Sequence, residues 1–147
     1  MWINITNEEE INSILKSYGD FHDSFVEKLV FESGMTLGTD RSVIYTDNGS
    51  SESGQIVDND MFFESSKVCM IVGSQINTDK IVFKFGKLID YKHSFSTSYD
   101  NIMDDVDLEF KGYRFHFRST WLSITAKSLS YQVVKEGSKD SLMKNLL

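Results

Sequence analysis

The sequence predicts a mainly-β fold: an antiparallel meander that curls into a sandwich or partial barrel, with one N-terminal helix and a short C-terminal helix. Three observations predict it. The chain holds 11 Phe and 6 Tyr, ring residues that favour strands. Apolar and polar residues alternate with period two in roughly eight successive segments. Helical spacing occurs only near the two ends. The length of 147 residues suits one domain over 1–147, large enough to fold without a disulfide or a metal.

The helix comes first. Thr6 or Asn7 can cap it, with Glu9 or Glu10 three residues on, as a capping box requires. Ile11, Ile14, Leu15 and Tyr18 follow the i, i+3, i+4, i+7 rule. Glu8, Glu9 and Glu10 suit the positive end of the helix dipole, and Gly19 is a natural stop. From Ser24 to Glu32 the period becomes two, with Phe25, Leu29 and Phe31 on one side and Val26, Lys28 and Glu32 on the other. Ser42–Thr46 reads as a second strand. Asp47–Ser66 is polar and turn-rich, a stretch without regular structure, and such long loops tend to be functional. Lys67–Gly73 is a buried strand. Ile81, Phe83 and Phe85 begin another, which resumes through Leu88, Ile89 and Tyr91 past a bulge at Gly86.

The strongest pattern is a hairpin. Val106, Leu108 and Phe110 alternate with Asp105, Asp107 and Glu109, and Tyr113, Phe115 and Phe117 alternate with Arg114, His116 and Arg118. A two-residue loop at Lys111-Gly112 pairs Phe110 with Tyr113, Leu108 with Phe115 and Val106 with Phe117. The other face then pairs Glu109 with Arg114, Asp107 with His116 and Asp105 with Arg118. Slipping one strand by one residue would break both sets. Leu122, Ile124 and Ala126 form a further strand, and Leu129, Tyr131 and Val133 a last one. Ser138 caps a C-terminal helix carrying Leu142, Met143, Leu146 and Leu147.

The net charge is −7, which argues against general nucleic-acid binding and against anionic membrane surfaces. It is unevenly spread. Residues 1–110 hold 8 Lys/Arg and 20 Asp/Glu, net −12; residues 111–147 hold 7 and 2, net +5. Residues 42–66 contain no Lys or Arg. The first ten residues lack the basic and apolar regions of a signal peptide, and no apolar run nears the roughly 20 residues of a membrane span. A cytoplasmic location is the expectation.

No cofactor or metal site is expected. His22, His93 and His116 have no metal-ligand spacing, the glycines form no phosphate loop, and the lone Cys69 sits in an apolar run as a structural thiol. His22-Asp23-Ser24 raises a hydrolase reading, but neighbours on an extended chain point to opposite faces, so a junction brace between helix and strand is preferred. The acidic clusters Asp58, Asp60, Glu64 and Asp100, Asp104, Asp105 do not match a calcium loop. They suit a surface that recruits a basic protein.

Tyr18-Gly19-Asp20-Phe21-His22-Asp23-Ser24-Phe25-Val26, the later Lys80–Leu88 and the terminal Trp121–Leu129 together resemble small bacterial β-rich proteins with a Phe-His-Asp-Ser/Ala signature. Some of these are immunity proteins of polymorphic toxin systems. The resemblance spans most of residues 7–134, with 35–66 outside it, and its one sharp motif is four residues long. It implies an intracellular, non-enzymatic binder that neutralises a cognate toxin, often a basic nuclease. Phe21, His22, Asp23 and Ser24 then have structural roles, and Asp58, Asp60, Glu64, Asp100 and Asp104 are the expected partner-binding residues. No nucleic acid or membrane is expected as partner, and a homodimer stays open. A small-molecule-binding β-barrel and a hydrolase using His22 and Asp23 are the rival readings.

Overall fold

Alternation along the chain becomes a sheet with one apolar face to cover, and the N-terminal helix covers it. The computed structural model describes residues 2–22, 24–32, 36–37, 44–45, 51–52, 67–74, 77–93, 102–103, 106–119 and 122–135. In chain order the elements are β1 (Ile3–Asn4), α1 (Glu8–Ser17), a single 3₁₀ turn (Gly19–Phe21), β2 (Ser24–Phe31), β3 (Thr36–Leu37), β4 (Ile44–Tyr45), β5 (Ser51–Glu52), β6 (Lys67–Gly73), β7 (Lys80–His93), β8 (Ile102–Met103), β9 (Asp107–Lys111), β10 (Arg114–Arg118) and β11 (Leu122–Val134). The sheet is antiparallel throughout and curls into a half-barrel. Its order is β5-β4-β3-β2-β6-β7-β11-β10-β9, with β1 on β11 and β8 on β2. The described strands thus belong to one sheet, the partial-barrel form of the expectation. The order leaves a plain meander twice: β6 returns to the far edge of β2, and β11 inserts between β7 and β10.

Helix α1 starts where the capping chemistry places it. Asn7 is the N-cap, its Oδ1 accepting from the Glu10 backbone N–H at 3.0 Å, and Glu10 Oε1 accepts in return from Asn7 Nδ2 and Thr6 Oγ1. Its stripe is the expected one, with Ile11, Ile14 and Tyr18 buried and Leu15 half-buried. These join Phe21, Val26, Leu29, Met70, Phe83, Phe85, Phe115, Phe117 and Ile124 in one core on the inner face. The core rings fill this interior by packing on one another: Phe21 edge-on to Phe83 at 5.8 Å, Phe83 tilted on Phe85 at 6.2 Å, and Phe85 edge-on to Phe117 at 6.1 Å. On the outer face a smaller cluster holds Cys69, Ile71, Val82 and Val134 with Trp2 and Val30.

The hairpin is where expected but one turn residue later. The observed partners are Lys111 with Arg114, Phe110 with Phe115, Glu109 with His116, Leu108 with Phe117 and Asp107 with Arg118. The loop is therefore Gly112-Tyr113, not Lys111-Gly112. Moving the loop by one residue leaves every side chain on its face, so alternation alone cannot distinguish the two registers. The turn decides. Both central residues have positive φ, Gly112 at 63° and Tyr113 at 59°, the backbone of a type I′ turn, whose first position the glycine fills at no steric cost. Phe110 gains Phe115 as its partner, with ring centroids 4.7 Å apart. The expected acid–base matching does not survive whole, because Lys111 now faces Arg114.

Three further differences come from register, and two short strands add to them. The last two expected strands are one, the 13-residue β11, since Ala126 and Leu129 both reach the core through a change of phase at 127–128. Strand β7 runs unbroken for 14 residues. Its irregularity lies beyond Gly86: Lys87 has φ 53°, and the pairing steps from Leu88–Ala126 to Asp90–Thr125, leaving Ile89 as the extra residue. In β2 the register shifts between Val26 and Lys28. That shift puts Val26 and Leu29 in the core, leaves Phe25 half-buried, and buries Glu27, which pairs with Lys80. Phe25 lies over Gly73, where any Cβ would strike its ring. Finally, β5 lies within the expected structureless loop, and β1 was not anticipated because two residues cannot show a period. The remainder of residues 47–66 and the expected C-terminal helix lie outside the described residues.

Candidate functional site

The signature residues meet at the helix–sheet junction. Gly19, Asp20 and Phe21 all take positive φ, at 59°, 55° and 56°. This left-handed turn drops the Phe21 ring into the core, stacked on Tyr18 at 5.4 Å. His22 is exposed, and its backbone N–H donates to the Gly19 carbonyl at 3.1 Å, closing the turn. Asp23 lies outside the described residues. Ser24 is fully buried at the start of β2, and its hydroxyl has no hydrogen-bond partner among the described residues. A buried unpaired hydroxyl costs stability. Ser24→Ala should therefore leave stability unchanged or raise it by about 1–2 kcal/mol in urea denaturation; a loss would assign the hydroxyl a partner.

The expected partner-binding residues Asp58, Asp60, Glu64, Asp100 and Asp104 lie outside the described residues.

A cleft of about 270 Å³ opens at the inner face, between the second half of α1 and the paired ends of β7 and β11. Ser13, Ile14, Ser17, Tyr18, Asn77, Ile81, Tyr131 and Val133 line it. Each wall follows from local structure. Ser13 and Ser17 lie on the helix flank beside the buried stripe, and Tyr18, the C-cap, ends that stripe. Tyr131 and Val133 alternate inward on β11, opposite Phe83 and Ile81. Asn77 is fixed in the turn before β7, its Oδ1 accepting from the Asp79 N–H at 3.0 Å. Ile3 pairs with Tyr131 through β1 and is exposed beside the cleft, as is Val133.

The polar groups here are hydroxyls, which accept as well as donate, and the Asn77 amide. Ser17 Oγ donates its proton to the Ser13 carbonyl at 3.0 Å, so its lone pairs remain. Burial pushes the Tyr18 phenol above its ordinary pKa, and the neighbouring Asp79 carboxylate and Tyr131 phenol push the same way. Tyr18 thus stays a neutral ring through the physiological range, with a carboxylate nearby. Hydroxyl oxygens on the walls and one carboxylate nearby can together hold a cation whose apolar stem packs on Ile14 and Val133. His22 does not line this cleft. Among the described residues no group of three His, Cys, Asp or Glu is placed to hold a metal.

Sequence reading assigned Tyr18 to the helix stripe and Tyr131 to a strand and missed their meeting. The available signal was chemical: both core-facing positions carry Tyr where Phe or Leu would pack as well, and a buried Tyr hydroxyl needs something to address. No protein family matches the chain, no curated protein matches it, and no solved structure matches it.

Proposed function

We propose that this chain is a non-catalytic, cytoplasmic binding protein that captures a basic protein partner, in the manner of the immunity proteins it resembles. In this reading one arginine or lysine of the partner seats in the cleft, its aliphatic stem against Ile14 and Val133 and its charge toward the Tyr18, Tyr131, Asn77 and Asp79 oxygens. The acid-rich segments at Asp58–Glu64 and Asp100–Asp104 attract the same partner at longer range. The supporting observation is the hydroxyl-bearing, tyrosine-lined cleft beside Asp79. Its volume favours a side chain over a free ligand, since small-molecule sites run from about 300 to 1,000 Å³, whereas arginine anchors in small pockets dominate many interfaces.

The test uses the ¹⁵N-labelled protein titrated with acetyl-arginine amide and, separately, acetyl-leucine amide. Arginine amide should shift the amide signals of Ser17, Tyr18, Asn77 and Tyr131, and leucine amide should not. Asp79→Asn should weaken the arginine response by up to about fivefold, as expected for a partly exposed ion pair of about 1 kcal/mol. No shifts, or equal shifts from both probes, would reject the cleft as a cation receptor.

A further inference from the structure

The outer face of the sheet carries a feature that folding does not need. At the β9–β10 turn Lys111 stands opposite Arg114. The pairing of β10 with β11 ends at Phe115–Ala126, and Arg114 and Lys127 are the residues that follow it on the two strands. The pairs Ala126–Leu88 and Ser128–Gly86 bracket Lys127 and Lys87. Lys111, Arg114, Lys127 and Lys87 therefore form one transverse row over four neighbouring strands, and all four are exposed. At about 4.8 Å per strand the row is about 14 Å long.

Like charges directly opposite one another destabilise a sheet; Lys111 and Arg114 are such a pair, and Lys127 and Lys87 continue the row of cations on the next two strands. The next residue, Tyr113, adds a second anomaly. It is 87% exposed and takes φ 59°, a backbone that bulky residues avoid and that Gly or Asn would fill better at this turn position. Its exposed ring stands edge-on to Phe110 at 6.4 Å, in the turn beside the first pair of the row. Unfavourable local choices gathered at one place mark a surface kept for contact.

We propose that the Lys111–Arg114–Lys127–Lys87 row, with Tyr113 at its end, is a second interaction surface that takes an acidic segment of a protein. Banding of charge favours a protein over a nucleic acid. The adjoining row, Glu109, His116, Thr125 and Asp90, has a carboxylate at each end, and the next, Asp107, Arg118, Ser123 and Lys92, is mixed. These rows lie about 7 Å apart. A uniformly anionic backbone wider than one strand would meet Glu109 and Asp90, whereas a protein can present acids to the first row and bases or amides to the second. The surface lies on the opposite side of the sheet from the cleft and does not depend on it.

The experiment measures fluorescence anisotropy of a labelled decaglutamate peptide, and of a labelled ten-nucleotide oligothymidylate, mixed with the full chain at low and at physiological salt. The peptide should bind at low salt and weaken as salt shortens the screening length to about 8 Å. The combined variant Lys87→Gln, Arg114→Gln, Lys111→Gln and Lys127→Gln should lose binding by about tenfold or more, consistent with four screened contacts. A control removing four cations elsewhere, Lys16, Lys92, Arg118 and Lys135 to Gln, should retain it. Tyr113→Ala should weaken binding by a smaller factor. Thermal melts should show the row variant at least as stable as the parent, because the Lys111–Arg114 repulsion is gone. Failure of the peptide to bind, equal loss in the control, tighter binding of the oligonucleotide, or a row variant that melts lower would each overturn the proposal.

Discussion

Phe21→Ala should destabilise the protein by roughly 3–5 kcal/mol, the range for deleting a fully buried ring. The ring is completely buried, stacked on Tyr18 and edge-on to Phe83, and so ties the helix to the sheet. Its backbone makes a sharper expectation available. Phe21 sits at φ 56° directly after Asp20 at 55°, and the left-handed region costs a residue with a Cβ about 1–2 kcal/mol. Alanine keeps that strain and loses the ring; glycine loses the ring and the strain together. Phe21→Gly should thus be about 1 kcal/mol less damaging than Phe21→Ala, the reverse of the usual order. Urea midpoints of the two variants compare them directly. Glycine as the worse substitution would mean that Phe21 is not held left-handed.

Alkali should unfold this protein through Cys69. The thiol is fully buried in β6, and burial pushes its pKa from the ordinary 9.0 to about 12, against the opposing pull of Lys84 and Lys67. The folded state therefore keeps a proton that the unfolded chain releases. The associated stability is complete below pH 9.0 and is lost as pH rises toward the folded value of about 12. One proton makes the slope about 1.4 kcal/mol per pH unit, or about 4 kcal/mol over the whole interval. Tyr18 and Tyr91, both raised above their ordinary 10.0 chiefly by burial, steepen the fall above that pH. Denaturation curves between about pH 8 and about pH 9 weigh the cysteine most heavily, because tyrosines of ordinary value 10.0 are at most about one-tenth ionised there even in the unfolded chain. Cys69→Ala should flatten the stability profile in that window whatever its effect at neutral pH. An unchanged slope would assign the alkaline loss to other groups.

Both results would report on the frame that positions the two candidate surfaces. The cleft depends on Phe21 and Tyr18 holding α1 against the ends of β7 and β11. The cationic row depends on the β9–β10 turn and on the phase change that faces Lys87 and Lys127 outward together. Loss of binding without loss of stability, in the cleft or in the row, would therefore point to contact chemistry and not to a loosened frame.

What the sequence determined by itself is what its local periods and caps can encode. The Asn7 cap and the Ile11–Ile14–Tyr18 stripe specify α1, a period of two specifies most of the strands, and the charge count locates a positive C-terminal quarter in an acidic chain. A mainly-β antiparallel fold follows from those elements, with a sandwich and a partial barrel both open, and the strand order made it the curled single sheet. The signature Phe21–Ser24 was legible as a motif, and its left-handed turn was foreshadowed only by Gly19. Tertiary structure decided the rest, and each case has the same physical reason: it depends on residues far apart in the chain meeting at a register that period alone leaves free. Two hairpin registers bury the same residues, and the positive φ demanded by a type I′ turn chose between them. Bulges in β2 and β7 reversed the phase of alternation, which sent Val26 inward and left Phe25 half-buried. The cleft needed Tyr18 and Tyr131, separated by most of the chain, to converge through the helix–sheet packing. The row needed four cations from three sequence regions to align across strands. Charge and hydrophobicity are written into the sequence, but juxtaposition is a property of strand order, and here that order departs from the order of the chain.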